Sequence, residues 1–483
     1  MTADSPKVVL PHEVSVINIG LSLFADAVRD QGRPVQHLDW RIPADGRPDL
    51  IAALERLYGP AAQAIDTANE EVVRRLDRGK PQLVDVTPAA SVVPALSGRV
   101  LLHCGPGIDW AETCDPLRRS LRAATVAEGW ASSVEAADDL LSMGEVTMEP
   151  AYRHDVVLPM ASAIGPSAPV FVVQDTEGGT QAFSPINQGP GDTAWFGRDT
   201  PGAIARLEFL RDVAGPLLRR IVESAGPVDV FGLAAQAVQI GDDVHMRTQG
   251  ASALLIRHLL PHLAGLDGPD LVPLARFLSA DHLFFLNLAM AGAKAVALWA
   301  EQVAGSSIVT MMCRNGTTYG VRLAGSGVVH VAPAPPVSDA MYYPDHGPAD
   351  AAADIGDSAI LELVGLGGAA AAGSPAVAAF LGGGLADAAA MTDAMTSICA
   401  GRSSRFKLPF AGYRGTPVGV DVRRVVELNS PPRVTTGILH ASSGVGQIGA
   451  GVATAPIECF REALRALAAR RPPDPPASSG WTP

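Results

Sequence analysis

Residues 280 to 300, ADHLFFLNLAMAGAKAVALWA, form an apolar run that only Asp281, His282, Asn287 and Lys294 interrupt. A segment of this length and composition reads as a buried helix, because a helix without a polar face has to be covered by other parts of the chain. Asn287 and Lys294 stand seven positions apart and share one face, with Met290 and Ala291 between them. Withdrawing a lysine from water costs on the order of several kcal/mol unless something pairs with it. A carboxylate of the chain answers that cost, and so does an anion supplied by a ligand. The third arrangement, a stem that snorkels its ammonium to solvent from a helix end, is common because lysines are seldom fully buried. Asp281 precedes Lys294 by thirteen residues and cannot reach it from the same helix, so a protein partner has to come from another segment, such as Asp357.

A chain of 483 residues supports a sizeable core and exceeds one compact unit, which sets an expectation of two to four domains. Acidic residues outnumber basic ones, 50 to 37, and no basic stretch alternates with aromatics, so composition argues against nucleic acid as a partner. The first residues, MTADSPKVVLPHEVSVINIG, lack a basic region followed by an apolar core, and a cytoplasmic location is expected. Five cysteines, at 104, 114, 313, 399 and 459, form no CxxC pair and suit reduced thiols. The uncharged stretch from Leu363 to Ala386 is long enough to cross a bilayer, yet it is mostly Ala and Gly and contains Pro375. It reads as close-packed small residues around a turn, with no membrane span expected and with a surface that suits packing against a second copy of the chain.

Periodicity predicts an α/β and α+β multidomain chain. VSVINIG, LSLFADAVRDQG and PVQHLDW have the rhythm of a β-α-β unit, continued by DTANEEVVRRLDRG, PQLVDV and RVLLHCGPGI. That alternation predicts a Rossmann-like domain with a parallel sheet over 12–112. An α+β region is expected over 113–200, with a helix at LRRSLRAATVAEGWA and a strand at APVFVVQD. Helical periodicity dominates 201–300, and strand-like stretches (SSIVTMMCR, TTYGVRLAG, GVVHVAPAP) open an α+β domain over 301–468. The Pro- and Ser-rich tail, 469–483, is expected to be disordered.

Several familiar motifs fail. Gly444, Gly446 and Gly449 have the spacing of a dinucleotide fingerprint, but no βαβ unit or acidic residue follows as that fold requires. The loop is either a plain turn or a set of amides facing an anion at a helix N-terminus. In the first β-α-β unit Asp39 is well placed, yet only Gly20 occupies the first turn. No GxxxxGK[ST], GxSxG or HExxH sequence occurs. His258 and His262 have Pro261 between them, and no metal site is expected.

What remains is a set of polar groups on several loops: His245 and Arg247; His282, Asn287 and Lys294; Arg314, Asn315 and Gly316; Asp354, Asp357 and Ser358; Tyr413, Arg414 and Thr416; and His440 before Gly444 and Gly446. Singly, each residue is more often structural. Together, and beside glycines, they point to one cleft in which arginine grips a carboxylate or phosphate, asparagine orients an amide and histidine moves a proton. The inventory suits a small anionic, amide-bearing substrate.

The blocks GDDVHMR, ADHLFFLNLAMAGAKA, CRNGTTYGVRL, DIGDSAI, YRGTPVGVDVRRVVE and TGILHASSGVGQIGAGVATAPIECF closely resemble the YlbE/AllG family, as do INIGLSLFADAVRDQG, VQHLDWRIP and LLHCGPGIDW. The likeness spans roughly residues 14 to 468. It implies a subunit of an oxamate carbamoyltransferase that acts with AllF (FdrA)-like and AllH-like subunits in purine nitrogen catabolism. The implied reaction is oxalurate plus phosphate giving oxamate plus carbamoyl phosphate, or its reverse, with no cofactor beyond phosphate or carbamoyl phosphate as substrate. On that reaction, Arg314 and Arg414 are expected to hold carboxylate or phosphate, Lys294 or Arg247 to stabilise oxyanion charge, and His245 or His282 to carry a proton. Asn287, Asn315, Asp357, His440, Gly444 and Gly446 complete the expected binding set. One departure stands out: where the family pattern reads close to H-N-R-N, this chain has His245-Met246-Arg247-Thr248. Two other readings stay open, a non-catalytic binding or scaffold subunit of the same complex, and a nucleotide- or CoA-binding enzyme of acyl-CoA synthetase type.

Overall fold

The apolar run folds as the helix Phe284–Glu301, in which every residue from Phe284 to Ala297 is buried. In the computed structural model, which describes residues 15–38, 40–380 and 383–470, it is the one described helix long and apolar enough to cross a membrane. Protein covers it instead. The strands Pro81–Pro88, Pro169–Asp175, Gln181–Pro185 and Val309–Arg314 and the helices Ala62–Arg78, Val230–Gln239 and Gln249–Ala264 pack around it. A helix without a polar stripe needs neighbours on all sides, and this one organises the molecule for that reason. The buried apolar cluster that contains it is continuous from Ala44 to Ala468.

The β-α-β rhythm of the start is real: Val16–Ile19, the helix Ser22–Asp30 and Val35–Leu38 form a unit with parallel strands. The predicted continuation into one parallel Rossmann-like sheet over 12–112 is not formed among the described residues. Pro81–Pro88 instead sits inside a four-stranded antiparallel sheet, ordered Gln181–Pro185, Pro169–Asp175, Pro81–Pro88, Val228–Asp229. Val100–His103 joins a third sheet, parallel to Thr147–Pro150 and antiparallel to Ala163–Ile164. Alternating helices and strands suggest a parallel order only while each strand pairs with its neighbour in sequence. Here the apolar strand PVFVVQD, a hairpin partner of Gln181–Pro185, takes the edge of Pro81–Pro88 in the antiparallel direction.

The helical reading of 201–300 is matched by helices from Pro201–Phe209 to Phe284–Glu301, broken by the short strand Val228–Asp229. Val309–Arg314, Thr318–Leu323 and Val329–Pro333 then form an antiparallel meander. Val337–Tyr342, Gln447–Thr454 and Arg433–Leu439 form another antiparallel sheet, with Gln447–Thr454 in the centre. The Ala/Gly-rich stretch packs as turns and short helices, with Ala369, Ala370 and Ala371 fully buried. Asp39 and the tail beyond Arg470 lie outside the described residues.

How tightly the central helix is gripped is visible at Gly79, after the helix Ala62–Arg78. A Cβ there would lie 2.4 Å from a methyl of Val296. Gly79→Ala is therefore expected to destabilise the protein by about 1–3 kcal/mol, as overpacking does. Combining it with Val296→Ala should cost less than the sum of the two changes, because each relieves the other. Chemical denaturation of the two single variants and the double variant measures this.

Candidate functional site

Lys294 shares its helix face with Leu298 and Glu301, one and two turns further on. Both line a cavity of about 690 Å³ that is also walled by Tyr152, Arg153, Asp155, Thr318 and Arg322. The lysine is 3% exposed, and among the described residues it makes no hydrogen bond or ion pair. Burial pushes its pKa down, and the Arg322 guanidinium pushes the same way, against weaker support from Glu301, Asp155 and Asp357. Glu301 cannot neutralise it, because Arg322 holds that carboxylate with both Nη2, at 2.6 Å, and Nε. The Tyr152 ring lies beneath Arg322, 5.8 Å from the guanidinium carbon. Asp155 has a left-handed backbone (φ 57°), and its carboxylate makes no hydrogen bond among the described residues. The cavity wall thus carries Arg153, the Arg322–Glu301 pair and the Asp155 carboxylate, while Lys294 lies buried one turn before Leu298 on the same helix and is not itself part of the wall.

Behind this cavity the loops 103–107, 157–160, 314–316 and 354–357 meet. Asp357, buried, accepts the backbone N–H groups of Gly105 (2.8 Å) and Leu158 (3.2 Å), and desolvation raises its pKa to about 6. It is a brace between loops and makes no ion pair with Lys294. Arg314, expected as a ligand clamp, is fully buried and forked onto Asp354 through Nε (2.9 Å) and Nη2 (3.0 Å), while Thr436 donates to the same carboxylate at 3.0 Å. Asn315 forms an Asx turn, accepting from the N–H groups of Thr317 and Thr318 and donating to the Pro106 carbonyl at 2.9 Å. Gly105 (φ 80°) is required here, since a Cβ would lie 2.4 Å from the Arg314 and Asn315 backbone. Burial pushes the thiols of Cys104 and Cys313 well above their ordinary pKa.

The segment GDDVHMR makes a separate buried network. Asp243 accepts the backbone N–H groups of His245, Met246 and Arg247, and Val244 between them sits at φ 61°, a strained conformation for a β-branched residue. His245 Nδ1 pairs with Glu362 at 2.8 Å, both side chains shielded from solvent. Oε2 of Glu362 and Nη1 of Arg314 are each left without a hydrogen bond among the described residues. Arg247 turns back to donate to the Gly241 carbonyl (2.8 Å) and faces Asp242 at 3.6 Å.

A second cavity, of about 360 Å³, collects His282, Asp281, Met246 and Gly446 with Trp195 and Arg198. Asn287 does not enter it. Its amide donates to the Pro185 carbonyl (2.8 Å) and accepts from Asn187 (3.0 Å), which pins the loop that forms one wall. The glycine loop is a turn between the antiparallel strands Arg433–Leu439 and Gln447–Thr454. With no helix following, neither a dinucleotide fingerprint nor a helix-terminus anion site is present; Gly444 lies against Arg119 and Gly446 against Arg198. His440 accepts the N–H groups of Ser442 and Ser443 and braces that turn. Arg414 is exposed on another face, its Nε bound to the Ala411 carbonyl.

The residues read as one cleft are therefore dealt to two cavities, two buried networks and one remote surface. Sequence reasoning missed Asp155, Arg322, Glu301 and Glu362. Only Glu301 carried a signal, its place on the helix face of Lys294.

The model of the family described as oxamate carbamoyltransferase subunit AllG matches residues 146–358. The oxamate carbamoyltransferase subunit AllG of Escherichia coli K12 is 36% identical over 410 residues, covering 84% of this chain and 98% of the relative. The uncharacterized protein YahG of the same strain is 33% identical over 455 residues, 93% and 96% of the two chains. A crystal structure of a conserved protein of unknown function from Enterococcus faecalis V583 superposes with a TM-score of 0.82 at 33% identity, covering 84% of this chain and 98% of the other.

Asp281 yields a pH prediction. Burial raises its pKa from 3.8 to about 7, opposed by a hydrogen bond from the Leu283 N–H and by Arg206. A carboxyl whose folded pKa is raised binds more protons folded than unfolded between those two values, so it lowers stability as pH rises through that window. Asp281→Asn, which does not titrate, should gain stability over the parent by about 2–3 kcal/mol more at pH 8 than at pH 5. Denaturant titrations at the two pH values measure the difference.

Proposed function

Since the chain belongs to the AllG family, we propose that it is a subunit of a carbamoyltransferase complex and that the cavity beneath Lys294 holds the anionic substrate. The single observation that carries this reading is the Lys294 ammonium: buried, unpaired among the described residues, and on the helix face whose next two residues, Leu298 and Glu301, line the cavity with Arg322 and Asp155. A cation kept out of water without a protein counter-ion is a standing cost that a bound anion removes. The substrates of the proposed reaction, phosphate with oxalurate in one direction and carbamoyl phosphate with oxamate in the other, are all anions.

In the phosphorolytic direction a phosphate oxygen attacks the carbamoyl carbon of oxalurate. The bond from that carbon to the oxamate nitrogen breaks, and the proton of hydrogen phosphate passes to the leaving nitrogen. An amide is a poor leaving group and, in reverse, a poor nucleophile. The residues serve chiefly to hold the reactants in line and to stabilise charge on the carbamoyl oxygen. Lys294 and Arg322 supply that positive field, Arg153 and the Thr318 hydroxyl position the phosphate, and Asp155 relays the proton. His245 is engaged by Glu362 in the core, and His282 opens to the other cavity, so neither is given the proton relay in this scheme. Partner subunits of AllF-like and AllH-like type complete the complex, and five free thiols suit a cytoplasmic setting.

Lys294→Met, tested in the complex coexpressed with candidate partner subunits, should lower phosphate-dependent oxalurate cleavage by about 10²-fold or more, the scale of losing one preorganised charge donor. Its Tm should be unchanged or raised, because an apolar side chain of similar length fits a buried helix better than an unpaired charge. Carbamoyl phosphate should raise the Tm of the parent chain and not that of the variant. Full activity in the variant would put the chemistry on a partner subunit.

A further inference from the structure

The β-α-β unit at the start of the described chain stands apart from the core around the central helix. Among the described residues its strands, Val16–Ile19 and Val35–Leu38, and its helix, Ser22–Asp30, pack chiefly on one another. The register sets Ile17 beside Gln36 and Ile19 beside Leu38. Side chains alternate between the faces of a sheet, so these four share one face while Val16, Asn18, Val35 and His37 share the other. The helix covers the second face, whose residues are half-buried, and there Asn18 Nδ2 meets His37 Nδ1 at 2.8 Å. The first face is open: Ile17 and Ile19 are 61% and 60% exposed, and Leu38 is 43% exposed.

That distribution is inverted. A sheet with one wet face turns its polar residues to water and its apolar residues to cover, whereas here the polar pair lies under the helix and the isoleucines point away from it. Parallel strands end on the same side, and at that end the segments leaving them add Leu23, Phe24 and Trp40, each more than half exposed. At roughly 100 Å² apiece, these six side chains offer on the order of 600 Å², most of the ~800 Å² that one partner gives to a stable interface. A two-stranded sheet is not self-sufficient, and an apolar surface of this size on one marks a contact. The open face also states which contact. Ile17, Ile19, Gln36 and Leu38 carry no charge. A two-fold axis brings a face against its own copy, where any charge meets its like at short range, and a face without charge escapes that repulsion. Homodimer interfaces are, besides, more apolar than contacts between different proteins.

We propose that the occupant of this face is a second copy of the chain: the open faces of two β-α-β units pack on each other about a two-fold axis. Ile17, Ile19 and Leu38 of both copies form the dry centre, and Leu23, Phe24 and Trp40 extend it at the strand ends. Gln36 of each copy lies within the same small face as its counterpart, close enough for a charge placed there to be felt across the contact. The dimer is independent of the reading of the cavity near Lys294.

Sedimentation analysis of the full chain on its own, at micromolar concentration, should give two chains per particle. Ile19→Asp should raise the dissociation constant at least tenfold and leave the main unfolding transition where it is, since the unit packs chiefly on itself. Gln36→Glu and Gln36→Lys should each weaken self-association at least tenfold at low salt. An equimolar mixture of those two variants should recover dimers that contain one chain of each. Neither change touches an apolar residue of the sheet, so recovery separates loss of the contact from loss of the fold. A monomer at micromolar concentration, a dimer indifferent to Ile19→Asp, or a mixture that associates no better than its components would overturn the proposal. So would a monomer that uses this face only to bind an AllF-like or AllH-like subunit, which would assign the surface to a different protein.

Discussion

The structure depends on covering one helix. Phe284–Glu301 has no face that water tolerates, so strands from two sheets and four helices, the short Ile360–Leu363 among them, close around it. Non-directional apolar burial of this kind stabilises at roughly 25 cal/mol per Å², and it is satisfied by any neighbours of the right shape. The two polar residues inside the helix are what make the arrangement specific. Asn287 is satisfied by Pro185 and Asn187, so it fixes where the loop 185–191 lies. Lys294 makes no hydrogen bond or ion pair among the described residues and stands one turn before Leu298, where the helix begins to line the cavity.

The polar groups around this helix divide by whether their bonds close. Arg314 with Asp354, His245 with Glu362, Asp357 with two backbone amides and Asn315 with its own turn are nearly complete in themselves, and they hold loops against each other. Buried pairs of this kind add geometric definition more reliably than they add stability. Lys294 and Asp281 differ from them. Each is buried and each leaves a charge or an acceptor unanswered among the described residues, Asp281 in the turn before the central helix and Lys294 within it.

Much of the local structure was legible. The first β-α-β unit, the helix following residue 115, the helical run after residue 201 and the meander after residue 308 all carry the periodicity of what they become. The Rossmann-like continuation was not legible, because strand propensity does not state a partner. PQLVDV suits a parallel or an antiparallel neighbour equally, and the choice was made by PVFVVQD, more than eighty residues away. For the candidate site, Lys294, Asn287 and His282 stood out as exceptions in apolar sequence. Asp155, Arg322 and Glu362 did not, since a charged residue in ordinary mixed sequence looks like any solvated one.

The sequence by itself determined that a charged helix had to be buried, that Asp281 could not neutralise Lys294, and which loops carry polar groups beside glycine. Those conclusions follow from spacing and from the cost of desolvation, which are local properties. Only the tertiary structure decided that Arg314 is consumed by Asp354 while Lys294 is not consumed by Asp357, and that the glycine loop of 444–449 leads into a strand. Whether a buried charge is paired depends on a few ångströms between segments far apart in the chain. That distance is set by packing and has no trace in composition or periodicity.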